Sequence, residues 1–205
     1  MFKYLLALPV ALLTATASYA SVISGVDGFG VPTVPGATAT VTFDGQANAT
    51  FSSLSLSGVT FSGIGGNLRT DNSYPNNYNG RGARYLDNNA GGTNAIRFDF
   101  STPVSAFAFN WGASDGVWTL TAFNASNQII EAMSTPITRA SNAGDYIGLA
   151  NAGMAYATLT TTNVGDWIFI DNFTVAAGTV PEPDTLAILG LGLMGMVSLR
   201  RRKTS

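Results

Sequence analysis

From Val104 to Trp111 the chain reads VSAFAFNW, with Phe107, Phe109 and Trp111 on one face and Ala106 and Ala108 on the other. A period of two is the pleat of a β-strand; an apolar helix face recurs every three or four residues. The same alternation puts Val41 and Phe43 on one face of Ala37–Asp44. It recurs in Ala49–Leu56 and Val59–Ser62, which Gly58 separates as a turn, and in Ala95–Phe100, which Pro103 follows as a break. Val117–Phe123 and Gln128–Met133 are joined by the Asn124–Asn127 turn, and further strands are expected at Tyr146–Leu149, Met154–Thr162 and Trp167–Val175. No stretch between residues 21 and 179 shows a 3.6-residue period. Nine or ten short strands joined by Gly- and Asn-rich turns predict an all-β domain, a single β-sandwich of jelly-roll type.

The two ends of the chain are built differently. Residues 1–20 read as a secretory signal peptide: Lys3 supplies the charge, Leu5–Leu13 the apolar stretch, and Ser18-Tyr19-Ala20 the small-residue cleavage site. At the other end, residues 180–205 hold three parts in sequence. Pro181-Glu182-Pro183 comes first, then an uncharged apolar run predicting a transmembrane helix at 185–199, then Arg200, Arg201, Arg202 and Lys203. The prolines fix φ and withhold N–H donors, so the triplet stays outside the helix. Four adjacent cations stay on the cytoplasmic side by the positive-inside rule. The 21–179 domain then lies across the membrane. From Leu186 to Leu199 a helix rises about 21 Å against a hydrocarbon core of about 30 Å, a short span suited to a segment that is later removed. Gly190, Gly192 and Gly195 spell G-x-G-x-x-G, but no βαβ unit surrounds them, and small residues that let a membrane helix pack closely are the plainer reading.

This order of triplet, apolar run and basic end resembles the PEP-CTERM sorting signal, with Pro181, Glu182, Pro183, Arg200, Arg201 and Arg202 in the matching places. The resemblance implies export in an exopolysaccharide-producing Gram-negative bacterium. It also implies a membrane-embedded exosortase-type transpeptidase as partner, acting near the triplet. The precursor would sit in the inner membrane with its domain in the periplasm, and the product at the cell surface or in the extracellular matrix. The resemblance covers the tail alone and leaves the domain's own work open.

Composition narrows that work. Charged residues are 11% of the chain, against roughly 25% in ordinary soluble proteins. Between the two hydrophobic ends stand ten acids against five arginines, so the domain carries a net charge of −5. A lysine-free acidic domain is a poor partner for nucleic acid, since nothing would release counterions from phosphate. The chain has no cysteine and no histidine. Disulfides, histidine metal sites and Ser-His or Cys-His catalysis are therefore outside its chemistry. Glycoside hydrolysis needs only two carboxylates, but the domain offers one glutamate, Glu131, and scattered aspartates with no marked pair. A non-enzymatic role is expected.

Gly65–Asn94 breaks the strand spacing. It is rich in Asn and Gly and nearly free of aliphatic residues, and loops of this length in compact domains are often binding loops. Tyr74, Tyr78 and Tyr85 offer flat stacking surfaces, while Arg81 and Asn88 offer hydrogen bonds to hydroxyls, a combination suited to exopolysaccharide. The alternative is a solvated loop with a short edge strand at Tyr85-Leu86, in a purely structural matrix component. A separate candidate is structural calcium, which takes six to eight oxygen ligands. Asp44, Asp171 and Asn172 would meet if the first and last strands are neighbours.

Overall fold

A computed structural model describes residues 21–28, 30–80 and 82–178. The expected signal peptide, Arg81, the triplet, the expected transmembrane helix and the basic end lie outside the described residues. Within them the chain is all-β, with twelve strands and no helix. They are β1 (Ser21–Val26), β2 (Ala37–Val41), β3 (Ala49–Phe51), β4 (Ser53–Leu56), β5 (Val59–Gly63) and β6 (Leu68–Asp71). The rest are β7 (Tyr85–Asp87), β8 (Ala95–Gly112), β9 (Thr119–Phe123), β10 (Ile129–Ser134), β11 (Asp145–Thr160) and β12 (Phe169–Ala177). All pair antiparallel into one hydrogen-bonded sheet in the order β10-β9-β11-β8-β12-β7-β6-β3, with β1 on β11, β2 on β12, and β4 on β5 beside β8.

Two long strands organise this sheet. The first half of β8 pairs with β5 (Phe100 opposite Val59) and with the end of β11 (Ala95 opposite Thr160). Its second half pairs with β12 (Gly112 opposite Phe169) and with the start of β11 (Phe109 opposite Ile147). In a straight strand Phe98 and Phe109 would stand about 36 Å apart, yet their ring centroids are 5.6 Å apart. Strand β8 therefore doubles back. The bend falls at residues 101–103, and β11 bends beside it, where its register to β8 shifts between Ala150 and Met154.

The expected break at Pro103 is thus a bend inside one strand. Recorded pairing skips residues 101–103 on β8, so the missing proline N–H costs no ladder bond. Tyr146–Leu149 and Met154–Thr162 merge into β11 in the same way, while Ala49–Leu56 splits into β3 and β4.

Between the facing halves lies a sealed aromatic core. Phe173 stands 5.2 Å from Phe61, 5.0 Å from Phe98, 5.6 Å from Phe107 and 5.4 Å from Phe109, centroid to centroid. All five rings are fully buried, and edge-to-face or offset contacts add to the area they remove from water.

Candidate functional site

At the end of the domain opposite the two bends, three loops meet: 72–84 between β6 and β7, 113–118 after β8, and 161–168 before β12. Buried side chains hold them together. Asp166 accepts hydrogen bonds from Asp115 N (2.8 Å), Gly116 N (3.1 Å) and Trp118 Nε1 (2.8 Å), locking the 161–168 loop to the 113–118 loop. Asn88 donates to Thr93 O (2.9 Å) and Asp166 O (2.7 Å) and accepts from Gly91 N and Ile168 N. Its amide has no donor left for a ligand.

The 72–84 loop is pinned along its length. Asn79 donates to Trp111 O and Asp145 Oδ2 and accepts from Gly144 N. Tyr78 N donates to Asn142 Oδ1, and Ala83 N and Arg84 N donate to Asp44 Oδ1. Asn76, Tyr78 and Asn79 all adopt positive φ, conformations that persist only when the surroundings over-determine them. Beneath the loop sits Gly112, where an added Cβ would lie 1.4 Å from the Tyr78 carbonyl oxygen.

The result is an aromatic cleft of roughly 170 Å³, lined by Tyr74, Tyr78, Ala113, Asp115, Trp167 and Phe169. Tyr74 is 39% exposed, Tyr78 and Trp167 are half-buried, and Phe169 forms the floor. Tyr74 meets Tyr78 at 5.4 Å and Trp167 at 5.5 Å, both edge-on, and Tyr78 meets Phe169 at 5.3 Å. Under the floor Tyr85 stacks on Phe169 at 3.9 Å.

A charged support lies behind Trp167. Arg69 places its guanidinium 5.6 Å from the indole centroid and bridges Asp87 (2.8 Å) and Asp71 (2.9 Å). Burial pushes the Asp87 carboxyl above the usual carboxylate range, and Arg69 only partly opposes this. For Arg69 burial acts downward, but the Asp87 hydrogen bond and the charges of Asp87 and Asp71 leave its value raised. Tyr85 is held strongly upward by burial and by Asp71 and Asp87, so its hydroxyl stays a donor, bonded to Asp71 Oδ2 at 3.3 Å.

Of the residues expected to meet a sugar, the structure brings Tyr74 and Tyr78 together at the cleft. Tyr85 is only 1% exposed and Asn88 is fully buried, so both support the site from inside. Gly65–Asn94 is not a single loop, because β6 and β7 form within it; β7 stands where the alternative placed a short strand at Tyr85-Leu86, but between β12 and β6 and not at an edge. The residues that sequence reasoning missed are Trp167 and Asp115, together with Phe169 as floor. They lie about ninety and forty residues downstream of Tyr74, and only the loop geometry joins them.

The calcium candidates are each engaged locally. Asp44 Oδ1 takes the two amides above, and Asp171 Oδ1 accepts from Asn172 N at 2.7 Å. Asn172 Nδ2 donates to Asn110 Oδ1 at 2.9 Å. Among the described residues no group of three or more acidic side chains converges on a metal-sized space. Glu131 lies on β10 and accepts from Ala132 N; the cleft itself is lined by one carboxylate, Asp115.

Comparison with curated proteins finds no match. Among solved structures the chain is similar to a CBM29-2 variant, a family 29 carbohydrate-binding module, at 13% identity and a TM-score of 0.32, covering 81% of this chain and 99% of that one. It is also similar to TmCBM61 in complex with β-1,4-galactotriose, at 12% identity and 0.30, covering 59% and 89%. A DUF4465 family protein from Bacteroides ovatus matches at 12% and 0.25, covering 78% and 99%. Scores this low carry no argument about function. The tail is a different matter: at residues 179–203 the chain carries the PEP-CTERM protein-sorting motif.

Proposed function

We propose that this is an exported surface or matrix protein whose domain, a β-sandwich of jelly-roll type, binds neutral polysaccharide through the aromatic cleft without turning it over. The observation that carries the reading is one cleft with three partly exposed rings, Tyr74, Tyr78 and Trp167, beside Asp115. Sugar rings present C–H faces and hydroxyls, which suit flat aromatic walls and a single polar group. The pinned loops support it further, since a cleft formed in advance spends little binding energy on ordering. A neutral glycan is favoured over a uronate because Asp115 is the one charged residue lining the cleft. Arg69, behind Trp167, is already committed to Asp71 and Asp87.

A catalytic reading would need a second carboxylate flanking a bound glycosidic bond, and the cleft lining supplies one. The sorting motif supports export through an inner-membrane precursor processed by an exosortase-type transpeptidase, with delivery to the surface or matrix.

The test is retention on purified neutral matrix polysaccharide in affinity electrophoresis. Retention that drops about tenfold in Trp167→Ala and Tyr78→Ala, a loss of ~1.4 kcal/mol, supports the reading. Equal migration of wild type and variants with and without polysaccharide makes the domain a structural matrix component instead.

A further inference from the structure

Strand register places both chain ends on one side of the domain. Ser21 at the start of β1 lies opposite Ala150, Ala150 opposite Ala106, and Ala106 opposite Ala176 near the end of β12. One row across four strands thus holds both ends of the described chain, beside the bends of β8 and β11. The aromatic cleft lies at the other end of the same strands, where Phe169 faces Gly112 and Val26 faces Asp145. From Phe169 to Ala177 a strand runs about 26 Å.

The turns at the two ends differ in charge. The turns at the bend end are Val34–Gly36, Ser57-Gly58, Ser101–Pro103, Asn124–Gln128 and Asn151–Gly153, and none holds a charged residue. The loops at the cleft end hold Asp115, Arg139 and Asp166.

We propose that the bend end is the surface this domain presents to the lipid membrane in the precursor, with the cleft held outward. The proposal rests on reading residues 185–199 as the membrane span; it is independent of what the cleft binds. Leash length carries it. Gly178 is hydrogen-bonded to Pro103 O, and Leu186 lies eight positions further along the chain, with seven residues between them. Fully extended, eight residues reach about 26–29 Å. A domain turned cleft-down would use all of that merely to run the tail back along its own flank. With the bend end down the leash stays slack, and the turns set no charged side chain against the membrane surface.

The absence of cysteine gives a direct test in the full-length precursor. Single-cysteine variants Ala152→Cys and Ala125→Cys mark the bend end, and Val164→Cys, 82% exposed, marks the cleft end. Each is reacted with a bulky, membrane-impermeant maleimide in spheroplasts and again after detergent solubilisation. The expected result is a severalfold slower reaction at 125 and 152 in the membrane, lost in detergent, with position 164 fast in both. Ten Gly/Ser residues inserted between Gly178 and Pro181 are expected to abolish the protection. Equal labelling at both ends of a membrane-bound precursor overturns the proposal alone. A precursor recovered in the soluble fraction removes the anchor and the proposal with it.

Discussion

The domain contains two aromatic clusters of similar size and different character. Around Phe173 the rings are Phe61, Phe98, Phe107 and Phe109, all fully buried. Around Phe169 they are Tyr74, Tyr78, Trp167 and Tyr85, of which three reach solvent. The first cluster is drawn from strands, where the pleat alone fixes which way each ring points. The second is drawn mainly from loops, and its rings are placed by the hydrogen bonds that Asp166 accepts and that Asn88 and Asn79 make. Phenylalanine, with no polar atom, fills the sealed cluster. Tyrosine and tryptophan, apolar with a polar edge, line the open one. Closed aromatic packing fills the core of this fold, and open aromatic packing lines the cleft proposed to take a ligand.

The sharpest way to separate the clusters is to cut each at its centre. Phe173→Ala empties the middle of the core and is expected to lower stability by about 3–5 kcal/mol, read by thermal or denaturant unfolding. An effect below about 1 kcal/mol would mean that the two halves of the sheet do not clasp around it. Next comes Gly112→Ala, whose Cβ would collide with the Tyr78 carbonyl. A loss of about 1–3 kcal/mol is expected from such crowding, together with loss of polysaccharide retention as Tyr78 moves.

A smaller effect tests the charged support. Burial raises the Asp87 carboxyl in the folded domain, so the folded state takes up that proton before the unfolded one does. The group's contribution is then full below the ordinary carboxylate value of about 3.9 and is lost as pH rises through the folded value. The advantage of wild type over Asp87→Asn in Tm is expected to be greater near pH 4 than near pH 7, since the variant lacks this titration. An advantage that grows steadily with pH would instead mean that Arg69 dominates. The smallest effect concerns calcium. With Asp44 on the Ala83 and Arg84 amides and Asp171 on the Asn172 amide, EDTA is expected to leave Tm unchanged. A fall of several degrees would show a bound ion.

The sealed cluster was legible in the sequence because each of its rings sits in a run with period two. Val104–Trp111 alone names Phe107 and Phe109 as inward. What alternation could not show was that Pro103 lies inside a strand, since a bend and a break share the same local chemistry. It also gave no sign of β6, where Leu68 is the lone aliphatic residue among polar neighbours. Half of the open cluster was legible from composition, through Tyr74 and Tyr78 in an Asn- and Gly-rich stretch. Trp167 was not, because its place depends on Asp166 reaching the 113–118 loop. Nothing in the sequence pairs those segments. The tail was the most legible part, as its order of parts is itself the signal.

If the open cluster binds a neutral glycan, Trp167 reports it directly. Trp111 and Trp118 are fully buried, so a ligand in the cleft changes the surroundings of Trp167 alone. In a fluorescence titration with neutral oligosaccharides from the matrix polysaccharide, the emission is predicted to shift and saturate, and the change to vanish in Trp167→Phe. An unchanged emission across the titration, or an equal change in Trp167→Phe, would mean that no neutral glycan enters the cleft.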